Sequence, residues 1–123
     1  MATAKKSKPI NELTVKVGGI DWLIVFTPTW HTVSNDPSDT ERHDGVTEFH
    51  ECEIRVTSDI APDRQRRTLM HELVHAVTEA YKIRELIDEN GGHKELAVDQ
   101  LAVGLCEALE SLGIYLPTAE RGS

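Results

Sequence analysis

Leu69-Met70-His71-Glu72-Leu73-Val74-His75-Ala76-Val77 is the stretch from which the rest of this chain is read. On a helix, residues four apart share a face, so His71 and His75 can aim both imidazoles at one metal ion. Glu72, between them, is then placed to take a proton from a metal-activated water. Leu69, Met70, Leu73, Val74, Ala76, Val77, Ala80 and Tyr81 cover nearly half of the helical wheel. The two histidines sit together just outside that arc. The pattern predicts a mostly buried helix whose histidines face one shared space. Five letters can also arise by chance, so the surroundings carry the argument.

Upstream, Ser58 or Asp59 is suited to cap this helix, with Pro62 and Asp63 in its first turn. Before it, Leu13 to Val17 alternates apolar and polar residues and reads as a half-buried strand. Gly18-Gly19 is a hairpin signal. Ile20 to Phe26 is apolar on both faces and predicts a strand covered on both sides. Pro28 to Gly45 is polar and reads as a long exposed loop. Val46 to Val56 is expected as one further strand, with Cys52, Ile54 and Val56 on one face and Glu51, Glu53 and Arg55 on the other. Downstream, a short helical piece from Arg84 to Asn90 stops at Gly91-Gly92. A last helix runs from about Lys94 to Leu112 and ends at Gly113, with Pro117 beyond. The expectation is an α+β fold: a small, mostly antiparallel sheet of about three strands, packed on the histidine helix and a C-terminal helix. A flexible arm over residues 1–9, one domain over 10–117 and a flexible tail over 118–123 complete the organisation. No internal repeat is present.

The length of 123 residues favours that single domain with a modest core. Hydrophobic content of 39% and charged content of 28% are those of a globular protein. A net charge of −8 argues against nucleic-acid binding through phosphate contacts and against a polybasic membrane-surface role. Met1 to Pro9 holds three lysines with no apolar core after them, so neither a signal peptide nor a membrane span is read. The expected compartment is cytoplasmic. Cys52 and Cys106 lack CxxC spacing and are expected as two buried, reduced thiols. Nothing in the sequence sets an oligomeric state.

A catalytic zinc site needs three protein ligands and an open position. His93, Glu95 and Asp99 are the downstream candidates. Glu95 is favoured. It lies in the first turn of the last helix, beside the stripe Val98, Leu101, Ala102, Leu105 and Leu109, so it is expected to face inward at the helix–helix seam. Asp99, four residues on, is placed to orient a ligand imidazole through a hydrogen bond. Glu95-Leu-Ala-Val-Asp99, twenty residues after His75, is similar to the ExxxD segment of the gluzincins, HExxH enzymes with a glutamate as third ligand. The wider stretch, Thr68 to Ala76 and Glu95 to Ala102, resembles small ImmA/IrrE-type metallopeptidases of bacteria and phages. The resemblance covers about a third of the chain, and Met1 to Phe26 is not matched by it. It implies a minimal zincin-like fold, Zn²⁺ on His71, His75 and Glu95, Glu72 as general base, and hydrolysis of peptide bonds. It also implies that the strand before the helix, here Val46 to Val56, lines the cleft and can pair with an extended peptide. The implied partner is a protein or peptide substrate, with a specific regulator as one candidate.

Other readings of the same residues stand beside these. His71 and His75 can be two surface histidines on an amphipathic helix. Glu95 can be a carboxylate favoured by the helix dipole, and Asp99 a solvated residue. His93 is the alternative third ligand of a SprT-like site, although Gly92-His93-Lys94-Glu95 fits that pattern poorly. A fourth ligand from His93 or Asp99 would close the site and make it a non-catalytic zinc-binding regulatory domain. His31, His43 and His50 are candidates for stabilising a developing oxyanion. Tyr81 is expected in the core, and Tyr115 is undecided. Arg64, Arg66 and Arg67 form a basic cluster that reads as a solvated helix face or as a contact for an acidic partner.

Overall fold

The computed structural model describes residues 12–34, 36, 38–81 and 94–119. The expected arm over 1–9, the piece from Arg84 to Asn90, Gly91-Gly92 and His93 lie outside them. Within them the chain is α+β. Strands β1 (Glu12–Val17), β2 (Ile20–Thr27), β3 (Gly45–Glu48) and β4 (Glu53–Thr57) are followed by helices α1 (Pro62–Ala80) and α2 (Lys94–Ser111). The sheet order is β1-β2-β4-β3.

Gly18 and Gly19 turn β1 into β2 with φ of 60° and 78°, a two-residue turn that only glycine enters without strain. Gly18 has a second reason to lack a side chain, because a Cβ there would lie 2.9 Å from the Cβ of Ala80 at the end of α1. β2 then pairs in parallel with β4, Leu23 opposite Glu53 through Thr27 opposite Thr57. The sheet is therefore mixed: two of its three pairings are antiparallel, as expected for most of it, one is parallel, and there are four strands rather than about three.

The single strand expected from Val46 to Val56 is a hairpin. Gly45–Glu48 and Glu53–Thr57 pair antiparallel across a turn at Phe49–Cys52. Cys52 closes that turn at φ 52°, a left-handed conformation usually given to glycine, and for that reason the turn left no mark in the sequence. Cys52 is accordingly half-buried, while Cys106 is buried; both thiols are free.

One face of the sheet packs on α1. Ile24, Phe26, Ile54, Val56, Leu69 and Ala76 are buried together with Trp22. Full burial of Ile54, Val56 and Leu69 stabilises the fold by about 1.5–3 kcal/mol each. The other face of the sheet is partly covered by the long loop. That loop carries a 3-10 turn at Trp30–Thr32 and a fully buried Val33, so it is not simply exposed. Arg55 holds it down. Its guanidinium donates to the Val33 carbonyl and pairs with Glu53 at 2.8 Å and Glu48 at 3.0 Å.

α1 begins one residue after Ala61, which has no side-chain cap; Pro62 opens the helix and Asp63 lies in its first turn. Ser58 and Asp59, the expected caps, do not serve as such. Asp59 accepts instead from the Thr57 hydroxyl at 2.6 Å and from the Trp30 amide at 3.2 Å. α2 packs on the other side of α1 through Met70, Val74, Val98, Ala102 and Cys106. It ends as expected at Gly113, φ 82°, where the Gly113 and Ile114 amides reach back to Glu110 and Leu109. Thr118 and Ala119, expected in a flexible tail, are tied in. Ala119 is buried, and its amide donates to the Gln65 side chain at 2.8 Å. Tyr81 is 60% exposed rather than core; it follows Ala80, the last residue of α1, which stands against the Gly18 turn. Among the described residues no helix is long and apolar enough to cross a membrane.

Candidate metal centre

The packing of α1 between sheet and α2 leaves one flank of the helix facing a cleft of about 920 Å³. His71, Glu72 and His75 open onto it from α1, Glu95 and Asp99 from α2, and Gly45 and Thr47 from β3. The histidines are placed by the helix itself. Their rings lie 4.9 Å apart, centroid to centroid, as successive turns on one face require. Their neighbours Leu69, Met70, Val74 and Ala76 are buried and hold the helix in register.

Glu95 bridges the two rings. One carboxylate oxygen lies 3.0 Å from His71 Nε2 and the other 3.1 Å from His75 Nε2. Asp99 Oδ1 lies 3.6 Å from the other nitrogen of His71, Nδ1. The sequence pair Glu95 and Asp99 thus reaches the same imidazole from opposite sides. Glu95 is not inward-facing, however. Its side chain is 73% exposed and that of Asp99 66%, against 20% for His71 and 11% for His75. The reason is position: Glu95 sits in the first turn of α2, where the seam opens to the cleft.

Donor atoms of His71, His75 and Glu95 all lie within 4.8 Å of one another. Four donors around a zinc ion at about 2.0–2.1 Å stand about 3.3 Å apart. The separations of 3.0 and 3.1 Å, to two different oxygens of Glu95, are hydrogen-bond lengths slightly shorter than that spacing. Two neutral imidazoles and one carboxylate are also the donor set of a catalytic zinc site with an open position. Asp99 approaches the nitrogen turned away from Glu95, which suits it to orient the ring rather than to fill a fourth position.

Glu72 is buried, and burial pushes its carboxyl above the ordinary range. A hydrogen bond opposes that shift. The Thr47 hydroxyl donates to Glu72 Oε1 at 2.6 Å and also lies 3.2 Å from the Glu72 carbonyl. Thr47 went unmarked in the sequence. So did Gly45, where a Cβ would come within 2.7 Å of the Thr68 side chain and 3.1 Å of Glu72 Cγ. The absence of a side chain at Gly45 lets the strand lie against the helix. The only available signal was the alternation Gly45-Val46-Thr47, which puts the first and third residues on one face.

Of the three loop histidines, only His43 lines the cleft, with Nε2 2.9 Å from Asp39. His31 stacks on Trp30, and His50 lies in the Phe49–Cys52 turn. Tyr115 lies over Arg66, 5.2 Å from guanidinium carbon to ring centroid, and does not line the cleft. No family profile, no curated protein and no solved structure matches this chain.

Proposed function

We propose that the chain is a zinc-dependent peptidase of the HExxH type, a minimal zincin resembling the ImmA/IrrE group, that acts in the cytoplasm on a protein or peptide. The observation that carries the reading is the bridging of His71 and His75 by the two oxygens of Glu95 at 3.0 and 3.1 Å. His71, His75 and Glu95 hold the ion, which when bound supplies Lewis acidity to a carbonyl oxygen and acidifies water. Glu72 removes the proton from the attacking water and delivers it to the leaving amine. Thr47 fixes one oxygen of that carboxylate, so the other is free for the proton. His43 stands at the rim as a donor for developing oxyanion charge.

Glu72→Gln tests the assignment. The variant is expected to keep about one zinc per chain and to lose about 10²–10⁴-fold in kcat. Metal content is read by elemental analysis and turnover with a quenched-fluorescence peptide library. A variant as fast as the wild type would overturn the role of Glu72. Protein that carries no stoichiometric zinc after gentle purification would overturn the metal reading itself. Retention of zinc with no turnover by either protein would favour the non-catalytic zinc domain.

A further inference from the structure

The basic cluster of α1 is divided by the fold. Arg66 turns to α2 and Tyr115, with Nε 3.5 Å from Glu110. Arg64 and Arg67 turn to the cleft, where Arg42 of the long loop joins them. Asp44 lies between Arg42 and Arg64, 3.2 Å from the first and 2.6 Å from the second. Arg67 is exposed and makes no ion pair with any described residue. Among the residues that line it, that end of the cleft therefore has three guanidinium groups and one carboxylate, with Asp39 paired to His43 and Glu41 close behind. The carboxylates of Glu72, Glu95 and Asp99 lie at the other end, around the candidate metal centre. In a chain of net charge −8, this is a local reversal of sign on the wall of the cleft.

The cleft has a direction that places the reversal relative to the chemistry. Thr47 of β3 stands beside Glu72, and Gly45 beside Thr68. Asp44, the next residue back, meets Arg42 and Arg64. β3 is at the end of the sheet order, and a chain laid along it advances about 3.3 Å per residue. Arg67 precedes His71 by one helical turn, about 5.4 Å of axis. Arg67 thus lies about two to three residues of extended chain from the point where Glu72 acts, and Arg64 about one residue further.

We infer that this end of the cleft selects an acidic segment, so that the substrate carries an Asp, a Glu or a terminal carboxylate two or three residues from the bond that is cut. Arg67 makes the primary contact, because among the described residues its guanidinium has no ion-pair partner to give up. Arg42 and Arg64, already shared with Asp44, widen the field without being freed. The inference rests on the peptidase reading for its reference point, the scissile bond. The attraction of the cleft for a carboxylate does not depend on turnover.

Two measurements separate these. The zinc-loaded chain is incubated with a degenerate dodecapeptide library, and cleavage products are sequenced by mass spectrometry. Asp and Glu are expected to be enriched two or three positions from the cut. Arg67→Glu is expected to lower the acidic-to-neutral ratio about fivefold or more, and Arg66→Gln to leave it unchanged. In parallel, zinc-loaded Glu72→Gln protein is titrated with fluorescein-labelled dodecapeptides that carry a Glu-Glu, Gln-Gln or Lys-Lys pair at their centre. Glu-Glu is expected to bind tightest, with the advantage reduced by Arg67→Glu and by added salt. Cleavage without acidic enrichment overturns the inference and leaves the peptidase reading standing. Acid-selective binding lost on Arg67→Glu, with no cleavage by the wild type, does the reverse. Equal binding of the three peptides overturns the inference whatever the turnover.

Discussion

The two seams along α1 differ in what they hold. Toward the sheet, α1 shares a core that includes Trp22, Ile24, Phe26, Ile54 and Val56. Toward α2, the buried set is smaller, Met70 and Val74 against Val98, Ala102 and Cys106. The site straddles both. His71, Glu72 and His75 ride on the helix that the larger core fixes, while Glu95 and Asp99 ride on α2 with side chains 73% and 66% exposed. The two imidazoles and the base are thus preorganised by apolar packing against a sheet. The third candidate ligand comes from the neighbouring helix, and in the proposed function the ion would tie the two helices together.

This contrast is open to direct attack. The largest effect is expected on the sheet side. Leu69→Ala should cost about 2–5 kcal/mol, since it removes a fully buried side chain from between α1 and the sheet. Val98→Ala, on the α2 side, removes two buried methyl groups and, with the cavity they leave, should cost about 1.5–3 kcal/mol. Urea unfolding of both variants checks the pair, and equal costs would break the distinction between the seams. A smaller effect tests how the base is held. Thr47→Val keeps shape but removes the 2.6 Å donor to Glu72, so kcat should fall about tenfold, about 1.4 kcal/mol, with zinc content unchanged. An unchanged kcat would mean that Thr47 does not orient the carboxylate.

The smallest effect lies away from both seams. The Thr57 hydroxyl, and with it the Trp30 amide, holds the Asp59 carboxyl below its usual range. A carboxyl depressed in the folded state contributes stability above its unfolded pKa, and that contribution is lost as pH falls through the folded value. The stability gap between wild type and Asp59→Asn should therefore be constant above about pH 5 and narrow as the pH falls below the ordinary Asp range. A gap that persists at low pH would assign the effect to shape rather than charge.

The parts legible in the sequence are those whose cause is local. The α1 pattern, the Gly18-Gly19 turn and the Gly113 stop each rest on residues within a turn or two of one another. The Glu95 and Asp99 pairing was legible because helix spacing predicts which residues share a side. What escaped depends on contacts made across the chain. Val46 to Val56 alternates smoothly through a turn whose left-handed residue is Cys52, so nothing in the pattern marks a hairpin. Parallel pairing of β2 with β4 joins residues thirty apart, Leu23 with Glu53, and no local signal encodes it. Thr47 and Arg42 enter the cleft only because that pairing carries β3 and the long loop over α1.

Gln65 gives the chain a hidden boundary. Its side-chain amide is fully buried, donating to the Ile60 carbonyl at 2.9 Å while its oxygen receives the Ala119 amide. A chain cut after Pro117, where the last apolar pattern fades, would lose that donor and open Gln65 to water, at a cost of about 1 kcal/mol. The packed part of the chain thus extends past its last helix to Ala119, held by one amide in the first turn of α1.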